Sequence, residues 1–341
     1  MDVVQLTRAL VDIESTTGNE GAAGEKLVAI LEPLAARFQG TVERMEVEPG
    51  RFNVLAVWGQ PVVTLSTHMD TVPPFLPSRE DEENIWGRGA CDAKGIIASM
   101  ICAAANALAE GRRNIALLFL VGEERNSAGA YRAAQLGRGS KFVINGEPTE
   151  NKLALGSKGT IRYELDAYGR MAHSAYPELG ESAIEKLLDA LGEVRKIELP
   201  RDPVLGKSTL NIGIISGGRA PNVIPDFAQA HLLIRLVDDA ESTRASIRKA
   251  VEGKADAREV LFIPVVHLGS LPGIETTVVS FTTDIPALGG VWGQPFLIGP
   301  GTIHVAHTER EHIAKRDLFE AVRIYQNMIE QLSGNEQNAA S

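Results

Sequence analysis

Three short runs in the first half of the chain, 61–67 (PVVTLST), 114–121 (NIALLFLV) and 141–145 (KFVIN), are apolar on both faces and rich in β-branched or aromatic residues. Runs of that length and character predict strands. Strands that are apolar on both sides belong in a parallel sheet covered by helices, where neither face meets water. Segments with helical spacing of apolar positions fall at 3–13, 24–38, 94–109 and 127–135. The alternation predicts a doubly wound α/β domain with a mainly parallel sheet.

From about residue 159 the pattern changes to strand 160–167, helix 180–197, strands 208–215 and 227–237, helix 239–253 and strand 259–268. That βαββαβ order is the split βαβ, or ferredoxin-like, unit. After Gly269 the chain returns to apolar and Gly/Pro segments at 278–281 and 293–301, then to a closing helix at 315–332. The expected organisation is therefore one larger domain in two parts, 1–158 and 270–341, interrupted by an inserted domain at 159–269. The polar tail 334–341 is expected to fray.

Composition narrows the function. With 341 residues, 44 % hydrophobic and 23 % charged, the chain has material for packed cores, and at roughly 150 residues per domain two domains fit. The 34 Lys and Arg against 44 Asp and Glu leave a net charge of −10, which repels phosphate backbones and anionic lipid. Neither nucleic acid nor membrane is expected as a partner. Residues 1–20 lack a basic region followed by an apolar core, so no secretory leader is expected. The Ala-rich run 96–109 falls short of the roughly 18 residues of a membrane span. Two cysteines, Cys91 and Cys102, make no disulfide framework, which fits a cytoplasmic protein.

Candidate chemistry sits where the strands end. Ligands collect at the carboxyl ends of strands in open α/β sheets, and each of the three runs is followed by a metal-ligand type: His68, Glu123-Glu124 and Glu147. On an extended segment residues i and i+2 face one side, so Asp70 can accept the imidazole proton of His68 and orient the ring. Of Glu123 and Glu124, one can ligate metal while the other takes a proton from water. Asp92 lies in the Gly-rich WGRGACDAKG, where it suits either a helix N-cap or a bridge between two cations.

Seven histidines allow each to be weighed. His173, in the loop GRMAHSAYPELG of the insert, is either solvated or functional, and His231 and His267 fall on strands of the insert as structural or exposed residues. His304, His307 and His312 cluster in GPGTIHVAHTEREHI. One of them can complete a metal shell, and spacing alone does not choose which. No GxSxG elbow, Walker loop or GxGxxG turn competes. The acidic run 80–83 reads as a solvated loop, and Cys91 as a small packing residue.

The ordered series STHMDTVPP, WGRGACDAKG, VGEER, NGEPTE, GRMAHSAYPELG and GPGTIHVAHTEREHI resembles the M20 metallopeptidases, which include acetylornithine deacetylase, succinyl-diaminopimelate desuccinylase and glutamate carboxypeptidase. The resemblance implies two Zn2+, one held by His68, Asp92 and Glu147, the other by Asp92, Glu124 and His307, with Asp92 bridging. Co2+ or Mn2+ suit the same shell. His307 is chosen because the family's closing ligand has the form AHxxxE, matched by Ala306-His307 and Glu311. The resemblance further implies Asp70 as the partner of His68, Glu123 as general acid/base and a cis peptide between Asp92 and Ala93.

The same resemblance implies that His173 is the oxyanion donor, reaching the other protomer of a homodimer joined through the ferredoxin-like domains. Substrate carboxylate recognition falls to Arg235, Asn222 and the backbone amides at Gly299 to Gly301. Glu147 rather than Asp in GEPT resembles the acyl-amino-acid hydrolases more than the aminopeptidases. The implied substrate is a small N-acyl amino acid or short peptide, with an acetylornithine deacetylase first, a desuccinylase second and a carboxypeptidase or dipeptidase third. The net negative charge leans toward a cationic substrate. A non-catalytic metal-binding relative would lack the base, and Glu123 is present.

Overall fold

The computed structural model describes residues 1–137 and 140–334. The tail expected to fray lies outside the described residues from 335 onward. The chain forms two compact units: Met1–Leu155 with Leu268–Thr277 and Thr283–Ser341, and Gly156–His267 with Val278–Thr282.

The first unit is built on a six-stranded sheet, ordered in space Thr41–Glu48, Arg51–Trp58, Ile115–Leu120, Val63–His68, Phe142–Asn145 and Gln294–Leu297. The last four run parallel. Ile115–Leu120 and Val63–His68 are buried at every position, as two-sided apolar strands must be. The first two form an antiparallel hairpin at one edge, which the apolar pattern did not anticipate. Its outer strand, TVERMEVE, has only Met45 fully buried, so it carries an edge strand's polar signature.

Helices Val3–Val11, Gly21–Phe38, Lys94–Ala109, Ala128–Ala134 and Lys315–Gly334 cover this sheet's core. The ends shift from the expected ones by up to three residues, where caps rather than periodicity decide. Asp2, for example, accepts the N–H groups of Val4 and Gln5 and starts the first helix. Lys94–Ala109 is buried at almost every position, the behaviour its Ala-rich sequence predicts.

Parallel register does the important work for function. His68 lies opposite Leu120, and Ser66 opposite Asn145. The three central strands therefore finish level, and residues 68–70, 122–124 and 146–147 emerge at one end of the sheet.

The second unit is a four-stranded antiparallel sheet in the order Thr209–Gly217, Phe227–Leu236, Gly159–Tyr168, Asp256–Ile263. The first and third strands in sequence are central, the order of a split βαβ unit. Every second residue of Phe227–Leu236 is fully buried. That buried face shares a core with Ala183–Val194 and Glu241–Val251. Among the described residues no helix is long and apolar enough to cross a membrane.

Candidate metal centre

At the carboxyl end of the parallel strands, His68 Nε2 lies 3.0 Å from Asp92 Oδ1. The other oxygen of Asp92 is 3.3 Å from His307 Nε2, which is in turn 2.9 Å from Glu124 Oε1. Ligand atoms of His68, Asp92 and Glu124 all lie within 4.8 Å of one another. Asp92 thus addresses the two imidazoles with different oxygens. A carboxylate only accepts hydrogen bonds, so each facing imidazole nitrogen must either carry a hydrogen to donate or share a metal ion with the oxygen.

The tautomer of His68 is set from behind. Its Nδ1 donates to the Asp70 carbonyl oxygen at 3.0 Å, with Asp70 Oδ1 farther away at 3.5 Å. The expected carboxylate contact is therefore secondary, because the Asp70 carboxylate faces the next strand end. It accepts the N–H groups of Gly122 and Glu123 on Oδ1, and that of Glu124 with the Thr17 hydroxyl on Oδ2. One residue thereby orients the imidazole through its main chain and the Glu123-Glu124 loop through its side chain. Burial disfavours its charge, but these bonds and the nearby His68 hold its carboxyl below the usual range.

Charge is crowded here. Burial works against ionising Asp92, yet hydrogen bonds to His307 and His68 hold its carboxyl low. Burial also opposes a charge on His68, and Asp70 and Asp92 outweigh it, raising the imidazole well above its ordinary value. Asp92 and Glu124 raise His307 to about 10. The carboxyls of Glu123 and Glu147 are pushed well up, first by burial and then by neighbouring carboxylates, Asp284, Glu124 and Asp92 acting on Glu123 and Glu123, Asp92 and Asp284 on Glu147. Oε1 of buried Glu147 has no hydrogen-bond partner. So many buried acceptors, one of them orphaned, are costly without cations to hold. The mixed imidazole and carboxylate donors fit a divalent metal.

Metal ligands must shed their protons, so uptake at neutral pH is expected to release protons from His68 and His307, and affinity should rise with pH. Calorimetric titration of metal-free protein in two buffers of different ionisation heat reads this directly. A heat independent of buffer would contradict it.

Of the three clustered histidines, His307 is the one that meets carboxylates. It sits at φ +63°, in the left-handed region that histidine tolerates better than most residues. His304 is exposed, and His312 stacks on Trp86 with ring centroids 4.4 Å apart. The Asp92–Ala93 peptide is cis. Gly301 adopts φ +77°, and a Cβ there would stand 2.6 Å from Cys91 Sγ, so the glycine fits this turn against the Asp92 loop. The acidic run 80–83 is exposed at every position, as expected, with Glu80 pairing with Arg8 and Lys315.

His173, Asn222 and Arg235 belong to the second unit. His173 pairs with Val223, and Ser174 N–H donates to the Asn222 carbonyl, so the first two are neighbours. Arg235 lies near the far end of the strand that begins at Phe227 and donates to the Thr160 hydroxyl at 2.7 Å.

Sequence patterns missed Asp284. It is buried with both carboxylate oxygens unpartnered. Burial pushes its carboxyl up to about 7 against the opposing effect of nearby Ser127, and its charge acts on Glu123 and Glu147. It directly precedes the helix Ile285–Leu288 but makes no cap bond, so the local signal of an Asp before a helix points to the wrong role.

Residues 155–260 match the model of a peptidase dimerisation domain. The chain is 36 % identical over 338 residues to a peptidase M20 domain-containing protein of Schizosaccharomyces pombe, covering 96 % of this chain and 84 % of that one. It is 37 % identical over 379 residues to a probable carboxypeptidase of Aspergillus fumigatus, covering 95 % and 85 %. The fold is similar to the crystal structure of aminopeptidase PepT from Bacillus cereus, with a TM-score of 0.81, 19 % identity and coverage of 97 % and 98 %.

Proposed function

The chain belongs to the M20 peptidase family, and we propose that it is a two-metal hydrolase that cuts the amide bond between a C-terminal amino acid and an N-acyl group or short peptide. The observation that carries this is Asp92, whose two oxygens address His68 and His307 separately. In the proposed arrangement His68, Asp92 and Glu147 hold one ion, and Asp92, Glu124 and His307 the other. Zn2+ suits such shells, with Co2+ or Mn2+ as substitutes. Bound ions of this kind supply Lewis acidity to an amide carbonyl and acidify water.

The chain's own groups do the rest. Glu123, a carboxylate held at high proton affinity by burial, takes a proton from the attacking water and returns it to the leaving nitrogen. His173 donates to the developing oxyanion. Arg235, Asn222 and the backbone at Gly301 receive the substrate carboxylate. The dimerisation domain supports a homodimer as the working form.

Release of a C-terminal residue is placed first because a relative with 37 % identity is named a probable carboxypeptidase. Glu147 in GEPT favours acyl-amino-acid substrates over the aminopeptidase type. Deacetylation of an acetylornithine-like compound is the second reading, favoured by the net charge of −10, with desuccinylation behind it.

Removing metal with a chelator is expected to lower amine release at least ~10²-fold, with return on adding Zn2+, Co2+ or Mn2+. In a panel of N-acetyl, N-succinyl and N-blocked peptide substrates, those with a free carboxylate should be cut and their C-terminal amides spared. Cleavage only of peptides with a free amino terminus would instead make the protein an aminopeptidase.

A further inference from the structure

A buried ion pair with no role in the chemistry above joins the loop that carries Asp92 to the loop that carries His307. Arg88 and Glu311 are 2 % and 1 % exposed, and Arg88 Nη1 donates to Glu311 Oε2 at 2.6 Å. Glu311 Oε1 accepts three main-chain N–H groups, from Gly89 at 2.8 Å, Cys91 at 3.2 Å and Asp92 at 3.1 Å. The Glu311 carbonyl accepts a fourth, from Gly87 at 3.1 Å. Arg88 in turn donates to the Thr308 carbonyl at 3.2 Å and to the Pro74 carbonyl at 3.3 Å.

Residues 87–93 form neither helix nor strand, so their N–H groups have no ladder to satisfy them. Buried N–H groups must be paired, and here those of Gly89, Cys91 and Asp92 converge on one carboxylate, as in other backbone anion nests. Glu311 therefore shapes the turn from a position 219 residues beyond Asp92. Arg88, a planar fork with several donors, ties the same turn to the residue after His307.

We propose that the Arg88–Glu311 pair is a positioning clamp that sets the separation of Asp92 and His307, and through it the affinity of the metal position they share. This rests on Asp92 and His307 being metal ligands. Neither Arg88 nor Glu311 touches metal or substrate. Groups that orient ligands from behind affect metal affinity by roughly 10–100-fold.

The test uses the full-length protein and Zn2+ competition against a chromophoric chelator, with kcat and KM measured at limiting and at excess Zn2+. For Glu311→Gln, one of two Zn2+ sites should weaken roughly 10–100-fold. At limiting Zn2+ kcat should fall in step and recover at excess Zn2+, while KM stays constant. A folded variant that melts earlier but binds both ions as tightly as wild type overturns the clamp and leaves the pair a plain structural contact. Should Glu311→Gln not fold, Arg88→Lys decides by the same measurement. It keeps a cation beside Glu311 and loses the fork that reaches Thr308 and Pro74. Wild-type protein that takes up no Zn2+ would overturn the ligand assignment itself and the clamp with it; two ions bound equally by wild type and variants would overturn the clamp alone.

Discussion

Glu123→Gln should lower kcat by about 10³–10⁴, near the upper end of what general acid/base groups contribute, while metal content and KM stay close to wild type. The amide is nearly the same size but cannot take a proton from water. Substantial turnover in a metal-replete variant would place the base elsewhere. The substitution also has a signature in stability. Burial raises the Glu123 carboxyl in the folded chain above its ordinary value of 4.5, so the folded state binds a proton more tightly than the unfolded one. Such a group weakens folding as pH rises from 4.5 through its raised value. Metal-free Glu123→Gln should therefore gain melting temperature over metal-free wild type, by a margin that widens with pH across that window. A margin that shrinks with pH would contradict a carboxyl of raised proton affinity in the folded chain.

His173→Ala should cost roughly 10²–10³ in kcat, the usual loss for one oxyanion donor. If the donor serves the partner protomer of a C₂ dimer, mixing inactive His173→Ala with inactive Glu123→Ala should restore activity. In each hybrid dimer one site combines an intact Glu123 with an intact His173 from the other chain, and the second site carries both defects. Random exchange makes about half the dimers hybrid, and half of their sites are whole, so roughly a quarter of wild-type activity should return. Hybrids verified by mass that stay inactive would place His173 within its own chain, or outside catalysis.

Two-sided apolar runs followed by His68, Glu123-Glu124 and Glu147 are enough to predict a parallel sheet and a cluster of ligand types at one end of it. The reason is physical: apolar periodicity is local, and parallel strands in register must finish together. The ferredoxin-like order of the second unit is readable for the same reason, since each of its strands and helices announces itself within about a dozen residues.

What the pattern leaves open is decided by contacts distant in sequence. Three histidines within nine residues have the same local credentials, and His307 is singled out because Glu124, 183 positions earlier, and Asp92 lie against it. Asp70 was readable as the partner of His68, but its division of labour, carbonyl to the imidazole and carboxylate to the next loop, depends on the neighbouring strand end. Asp284 and Glu311 are both acids near a turn, and the fold buries the one with no hydrogen bond to its carboxylate oxygens and surrounds the other with four donors. Local sequence determined the elements and the strand ends where chemistry gathers. Tertiary packing decided which side chains meet there, because burial and partnership of a charged group belong to the assembled surroundings and not to its neighbours in the chain.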